Sequence, residues 1–149
     1  MNGDSVYTQR VEKLADECYR NHPDTPGLSP DEFARRSKQE EWAIIDVRSP
    51  RERAVSIIPG AVSSEEFEAR PEEHEGKHVL VYCTAGCRSG AYAETLREEG
   101  VDAFNLWGGV LSWAEEGRPF VTFDGQPTRR VHVNGERWDV LPPDYEAVR

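Results

Sequence analysis

No stretch of this sequence approaches the roughly 20 consecutive apolar residues that a helix needs to cross a bilayer. Met1-Asn2-Gly3-Asp4-Ser5 lacks the positive flank and apolar run of a secretory leader, so a cytoplasmic address is expected. Cysteine is scarce, with Cys18, Cys83 and Cys87 alone. An odd, small number does not read as the disulfide framework of a secreted domain, and under reducing conditions it points to buried or reactive thiols. Zinc is not indicated. Cys83-x-x-x-Cys87 has no second matching pair, and His74 and His78 flank a glycine, so neither a metal nor a cofactor is expected. Positive charge is also short, 18 Lys and Arg against 28 Asp and Glu, for a formal net charge of -10. That balance disfavours nucleic acid, whose phosphates need Lys and Arg. It disfavours anionic membrane surfaces too, so neither is expected as a partner. A small anionic substrate must be drawn by a local positive site. No internal repeat or low-complexity tract is present.

What is there fits one domain of 149 residues with terminal extensions. Apolar residues at Val11, Leu14, Ala15, Cys18 and Tyr19 share one helical face, which predicts a helix from Tyr7 to Tyr19 with Cys18 packed in the core. Asn21-His22-Pro23-Asp24-Thr25-Pro26-Gly27 stops it. Ser29 before Pro30, Asp31 and Glu32 reads as a helix N-cap, a first-turn proline and an acidic first turn, for a short helix to about Lys38. Trp42-Ala43-Ile44-Ile45-Asp46-Val47 and Val79-Leu80-Val81-Tyr82 are continuous apolar runs of the kind found in buried parallel strands. Helices are expected from Ser89 to Glu99 and from Val110 to Glu116, with a third strand over 101–106 between them. The alternation predicts a parallel α/β sheet. Asn134-Gly135 between alternating segments predicts a C-terminal β-hairpin over 130–140, with Trp138 packing against the domain.

The chemistry concentrates in Val79-Leu80-Val81-Tyr82-Cys83-Thr84-Ala85-Gly86-Cys87-Arg88-Ser89-Gly90. A buried strand delivers a cysteine into a short loop that closes into a helix N-terminus. The unpaired N–H groups at such a terminus converge on one point and favour negative charge. Gly86 has no Cβ to obstruct the tight curl, and Arg88 adds a positive charge with hydrogen-bond donors. A thiolate held in this cradle is reactive without a neighbouring histidine base.

The loop Cys83-Thr84-Ala85-Gly86-Cys87-Arg88-Ser89 resembles the C-x-x-G-x-R-S active-site loop of the rhodanese family. Asp46-Val47-Arg48-Ser49-Pro50-x-Glu52 is similar to that family's D-V-R-x-x-x-E segment, and Ile58-Pro59-Gly60-Ala61 to its I-P-G-A motif. Leu106-x-Gly108-Gly109-x-x-x-Trp113 matches its L-x-G-G-x-x-x-W closing signature. Ser56 and Ile57 stand where the family usually has Gly-His, and Arg53 stands where an aromatic often follows the glutamate. The resemblance implies a twisted parallel sheet flanked by helices on both faces. It places a helical extension over 1–28, the rhodanese-like domain over 29–120 and an extension with a hairpin over 121–149. It further implies a thiosulfate sulfurtransferase, in which Cys83 takes sulfur from a small anionic donor as a persulfide and passes it to cyanide, a thiol or a protein acceptor. The substrate-binding loop is then Thr84, Ala85, Gly86, Cys87, Arg88 and Ser89, with Asp46, Arg48 and Glu52 bracing it through charge-assisted hydrogen bonds.

Two other readings of the same loop stay open. Cys83 and Cys87 could act together in a redox or regulatory module. A phosphatase or arsenate reductase would use a C-x5-R loop, one residue longer than the span between Cys83 and Arg88 here.

Overall fold

The computed structural model describes residues 6–149; Met1-Asn2-Gly3-Asp4-Ser5, read above for a leader, lies outside them. Helix α1, Val6–Tyr19, buries Val11, Leu14, Ala15 and Cys18, the face its apolar spacing predicts. A two-residue strand β1, Gly27–Leu28, follows the proline-rich stop. Helix α2, Pro30–Arg36, opens on a capping box: Ser29 Oγ accepts from the Glu32 amide at 3.1 Å, and the Glu32 carboxylate accepts from the Ser29 amide at 3.0 Å. Strand β2, Trp42–Asp46, leads to the single turn α3, Pro50–Arg53, which repeats that device with Ser49 and Glu52. After strand β3, Val62–Ser63, helix α4, Ser64–Ala69, uses it a third time with Ser63 and Glu66. Strand β4, His78–Tyr82, helix α5, Cys87–Glu98, strand β5, Ala103–Leu106, and helix α6, Gly109–Glu115, complete the α/β unit.

The five strands form one sheet in the order β1-β5-β4-β2-β3, every pairing parallel. The central strand β4 explains why the run Val79-Leu80-Val81-Tyr82 carries no polar alternation. Val79 and Val81 pack on one face with Phe67 of α4 and Ala93 and Leu96 of α5. Leu80 and Tyr82 pack on the other with Leu14 of α1, Phe33 of α2 and Leu111 of α6. Both faces are covered, so both sets of side chains are apolar.

The C-terminal part differs from the sequence reading. A hairpin is present, but it joins strands β6, Phe120–Val121, and β7, Pro127–Thr128. Over 130–140, Asn134 and Gly135 both have positive φ, 67° and 137°, although ψ of 177° makes Gly135 extended and not part of a tight hairpin turn. Yet strand β8, Arg130–His132, pairs in parallel with β9, Glu146–Val148, and not with the residues just past the turn. Val131, Val133, Val140 and Leu141 all join the main core, and that burial overrides the local turn signal. Trp138 packs against the same core, as expected. Among the described residues no helix is long and apolar enough to cross a membrane.

The cysteines also depart from expectation. Cys18 and Cys87 form a disulfide that ties α1 to the first residue of α5, and Cys83 is the free one. The partners are 69 residues apart in sequence, which is why their pairing leaves no local signal. Closing a loop of that length restricts the unfolded chain by about 4 kcal/mol in the chain-entropy account. Oxidised protein should therefore unfold at higher denaturant than either reduced protein or a Cys18→Ser variant. Equal midpoints for the three in guanidinium titrations would contradict this role.

Candidate active site

Cys83 is the first residue beyond β4, and it is buried. Its Sγ accepts hydrogen bonds from the Gly86 amide at 3.2 Å and the Ser89 amide at 3.5 Å. Gly86 caps α5 with φ of 112°, a conformation that only glycine adopts at little cost, and so turns its N–H back toward the sulfur. The loop carbonyls point the other way. Those of Cys83 and Thr84 accept from the Val110 and Leu111 amides at the start of α6, at 3.0 and 3.3 Å. Such close approach requires Gly109: a Cβ there would stand 2.4 Å from the Cys83 carbonyl oxygen and 2.5 Å from that of Thr84.

Behind the sulfur, Ser89 Oγ lies 3.3 Å from Sγ and donates to Asn105 Oδ1 at 2.6 Å. The Asn105 amide nitrogen donates to the Gly86 carbonyl at 3.0 Å, which fixes its oxygen toward Ser89. The single Ser89 proton can serve Asn105 or the sulfur, not both. With the thiol protonated, S–H donates to Ser89 Oγ. With the thiolate, the hydroxyl is free to rotate and donate to sulfur. The site thus has a hydrogen-bonding arrangement for each protonation state.

Glu52 is the hub of the polar wall. Its carboxylate takes a bidentate pair from Arg88, at 2.7 and 2.9 Å, and further bonds from the Ser49 amide and hydroxyl, Thr84 Oγ1 and Asn134 Nδ2. Burial alone would push this carboxyl up, but the bonds from Arg88, the Ser49 backbone and Asn134 outweigh it and hold the group well below the usual carboxylate range. Arg88 Nη2 also reaches Thr84 Oγ1 at 3.1 Å, so the guanidinium braces the loop on one edge, while the side chain as a whole is 45% exposed. Asp46 and Arg48 form a separate buried pair beneath it. Arg48 Nε and Nη2 donate to the two Asp46 oxygens at 3.0 and 2.8 Å, and Nη2 also donates to the Ser56 carbonyl. Burial works against the Arg48 charge, but Asp46 more than compensates and holds it protonated. Tyr82 Oη, kept protonated by its burial, donates to Asp46 and accepts from the Ile58 amide.

The structure therefore brings Cys83, Thr84, Gly86, Arg88, Ser89 and Glu52 together. Ala85 is buried in the core, and the Cys87 side chain is turned into its disulfide with Cys18. Asp46 and Arg48 brace the chain between β2 and Ile58 without touching the sulfur. Asn105 and Asn134 were missed. A polar residue inside the apolar strand β5 was a usable signal for the first. The second hid inside an Asn-Gly pair that reads as a turn. Above about pH 5, where an unfolded glutamate is ionised, Glu52 contributes its full stabilisation, because its folded-state ionisation is favoured. Below the ordinary glutamate value of about 4.3 the unfolded chain takes up a proton first, and that contribution shrinks. Glu52→Gln should cost about 2 kcal/mol near neutrality, moderated by the half-exposed Arg88 partner. Unfolding free energies of variant and parent should converge as pH falls toward 3; parallel curves would contradict this assignment.

Residues 29–116 match the Rhodanese-like domain family. A solved rhodanese-related protein from Thermoplasma volcanium superimposes with a TM-score of 0.56 at 28% identity, covering 64% of this chain and 97% of that one. A thiosulfate sulfurtransferase from Pseudomonas aeruginosa superimposes at 0.61, covering 78% of this chain and 24% of that one; at 22% identity this likeness extends to the fold alone. Among curated proteins, the tRNA uridine(34) hydroxylase of Bacillus licheniformis is 28% identical over 146 residues, which is 91% of this chain and 40% of that protein. Other Bacillus relatives bear the same name. The chain spans about two-fifths or less of the length of these relatives. The sulfurtransferase expectation is corrected by this finding, as are the Cys83/Cys87 redox module and the phosphatase or arsenate reductase. The loop pattern specifies a cradled cysteine, not what the cysteine attacks, and Cys87 is engaged elsewhere. The sulfur donor and acceptor fall with the sulfurtransferase, and the exclusion of nucleic acid is overturned as well, since these relatives are named for action on tRNA. Net charge describes the whole chain, whereas recognition depends on the local surface. On the extent of the match over residues 29–116, the chain belongs to the rhodanese-like domain family.

Proposed function

We propose that this chain is the cysteine-bearing portion of an enzyme that hydroxylates a tRNA wobble uridine, with Cys83 as nucleophile. The observation that carries the reading is a free cysteine set between the Gly86 and Ser89 amides, in a chain that resembles tRNA uridine(34) hydroxylases over 91% of its length. Uracil supplies the matching chemistry. Its C5=C6 bond is conjugated with the C4 carbonyl, so C6 accepts a soft nucleophile and C5 then carries the electron pair. In the proposed sequence the Cys83 thiolate adds to C6 and generates an enolate across C5, C4 and O4. C5 attacks the terminal oxygen of a hydroperoxide-class co-reactant; the O–O bond breaks, and the departing alkoxide or hydroxide takes a proton. Loss of the C5 proton expels Cys83 from C6 and restores the double bond. Uridine and hydroperoxide become 5-hydroxyuridine and an alcohol or water, and the thiolate is regenerated.

In this scheme the Gly86 and Ser89 amides and the Ser89 hydroxyl stabilise sulfur when it leaves as an anion. Thr84, Ala85, Gly86, Cys87, Arg88 and Ser89 form the loop around the sulfur, and Arg88 is the exposed residue by which that loop meets substrate, the Ala85 and Cys87 side chains being turned into the core and the disulfide. Glu52 positions Arg88 and Thr84, and Asp46 with Arg48 anchors the segment that carries Glu52. The unit over 29–120 supplies the nucleophile, the described parts of the flanks over 1–28 and 121–149 pack onto it, and a tRNA substrate places the reaction in the cytoplasm.

A trap tests the assignment directly. With 5-fluorouridine at position 34 of an anticodon stem-loop, attack at C6 followed by oxidation at C5 leaves no proton to lose. The protein, given a hydroperoxide, should then form an adduct that survives denaturing electrophoresis, and Cys83→Ser should abolish it. No adduct with the parent protein, or an undiminished adduct with the variant, would overturn the proposal.

A further inference from the structure

We propose that Asn134 is the residue by which this site selects uridine, its side-chain carbonyl accepting the imide N3–H of the base; this rests on the reading that the substrate is a tRNA uridine. Asn134 lies outside the residues that match the family, 29–116, yet it reaches the centre of the polar wall. Its Nδ2 donates to Glu52 Oε2 at 2.7 Å and to Thr84 Oγ1 at 3.0 Å, the latter on the residue that follows the nucleophile.

The orientation of the amide follows from the chemistry of its partner. An ionised carboxylate only accepts hydrogen bonds, and Glu52 is ionised, so the –NH2 of Asn134 must face it. Oδ1 is thereby turned outward, and it accepts no hydrogen bond from the described residues. The backbone is equally fixed. Asn134 sits at φ of 67°, which asparagine tolerates better than most residues, and its N–H donates to Nδ1 of the buried His132 at 3.2 Å. The residue as a whole is exposed although its Nδ2 is committed, so the outward oxygen meets whatever enters.

A fixed acceptor at the rim discriminates between pyrimidines by sign. Uracil presents a donor at N3, whereas cytosine presents a lone pair there. The first gains a hydrogen bond with Oδ1, and the second sets two acceptors against each other. A well-placed contact of this kind is worth roughly tenfold in affinity between the right and the wrong base.

The test measures binding of anticodon stem-loops that differ only at nucleotide 34, carrying uridine, cytidine or 3-methyluridine, to the parent protein and to Asn134→Gly. Glycine suits the positive φ and removes the amide, and Cys83 alkylation by iodoacetamide reports whether the loop keeps its geometry. The expected result is a roughly tenfold preference of the parent for uridine over both alternatives, lost in the variant through a selective fall in affinity for the uridine stem-loop; an equal fall for all three stem-loops, the mark of a disturbed loop, would overturn the inference. Retention of the preference by Asn134→Gly would overturn the inference and leave the hydroxylase reading standing. A changed alkylation rate with the preference intact would assign Asn134 to bracing the loop and overturn it equally. A parent protein that ignores nucleotide 34, or binds no stem-loop, would remove the hydroxylase reading itself and the inference with it.

Discussion

One buried carboxylate holds the site in shape. Glu52 is drawn from α3, yet the groups that satisfy it come from the N-cap of its own helix, from both ends of the cysteine loop and from the C-terminal segment. A charge taken out of water survives only if its lone pairs are filled, and here each partner doubles as a constraint on the element it belongs to. Arg88 cannot follow a ligand outward without leaving Glu52 short of its bidentate partner. Thr84 cannot rotate without giving up its link to the same group. The arginine of the sequence motif is, in the folded chain, half of a strut on one edge and exposed on the other.

That strut lets the loop be polar in a directed way. Within seven residues of the end of β4, the main chain has turned two amides onto a sulfur atom and sent two carbonyls to the start of α6. Amides and carbonyls alternate along any chain, so bringing amides to one side requires acceptors to be satisfied on the other. Gly109 makes this possible by allowing α6 to approach the loop backbone closer than any side chain would permit. The glycine pair in the closing motif is therefore as much part of the cradle as Gly86, although some 23 residues separate them in sequence.

Legibility in the sequence tracked how local the cause was. The N-cap at Ser29, the apolar strand that leads into the cysteine loop and the curl at Gly86 depend on neighbours a few residues away, and each could be read directly. The Cys18–Cys87 disulfide and the reach of Asn134 into the site depend on which elements pack together, and nothing in their immediate surroundings announces it; Asn105 differs only in that a polar residue within an apolar strand marks the position without naming its partners. Asn134-Gly135 is the instructive case. Asn134 takes the left-handed conformation expected of it, but Gly135 is extended, and the burial of Val131, Val133, Val140 and Leu141 selected a different strand partner and left the asparagine facing Glu52. The sulfurtransferase expectation went astray for a related reason. A motif that positions a reactive sulfur records how the sulfur is held and not what it attacks.

The charge argument fails on the same distinction between whole and part. A net charge of -10 describes an average over the surface, but the carboxylates around the sulfur are individually compensated. Glu52 faces Arg88, and Asp46 faces Arg48 with Arg53 nearby. On the C-terminal segment Arg129, Arg130 and Arg149 are paired with Asp144, Glu146 and Asp139. Within a Debye length of about 8 Å at physiological salt, an approaching phosphate feels these near pairs and little of the acidic remainder. A site built from matched ions neither attracts nor repels a polyanion strongly. Selectivity at such a site falls to directed hydrogen bonds, of which the outward oxygen of Asn134 is the one that the fold holds in place from two sides.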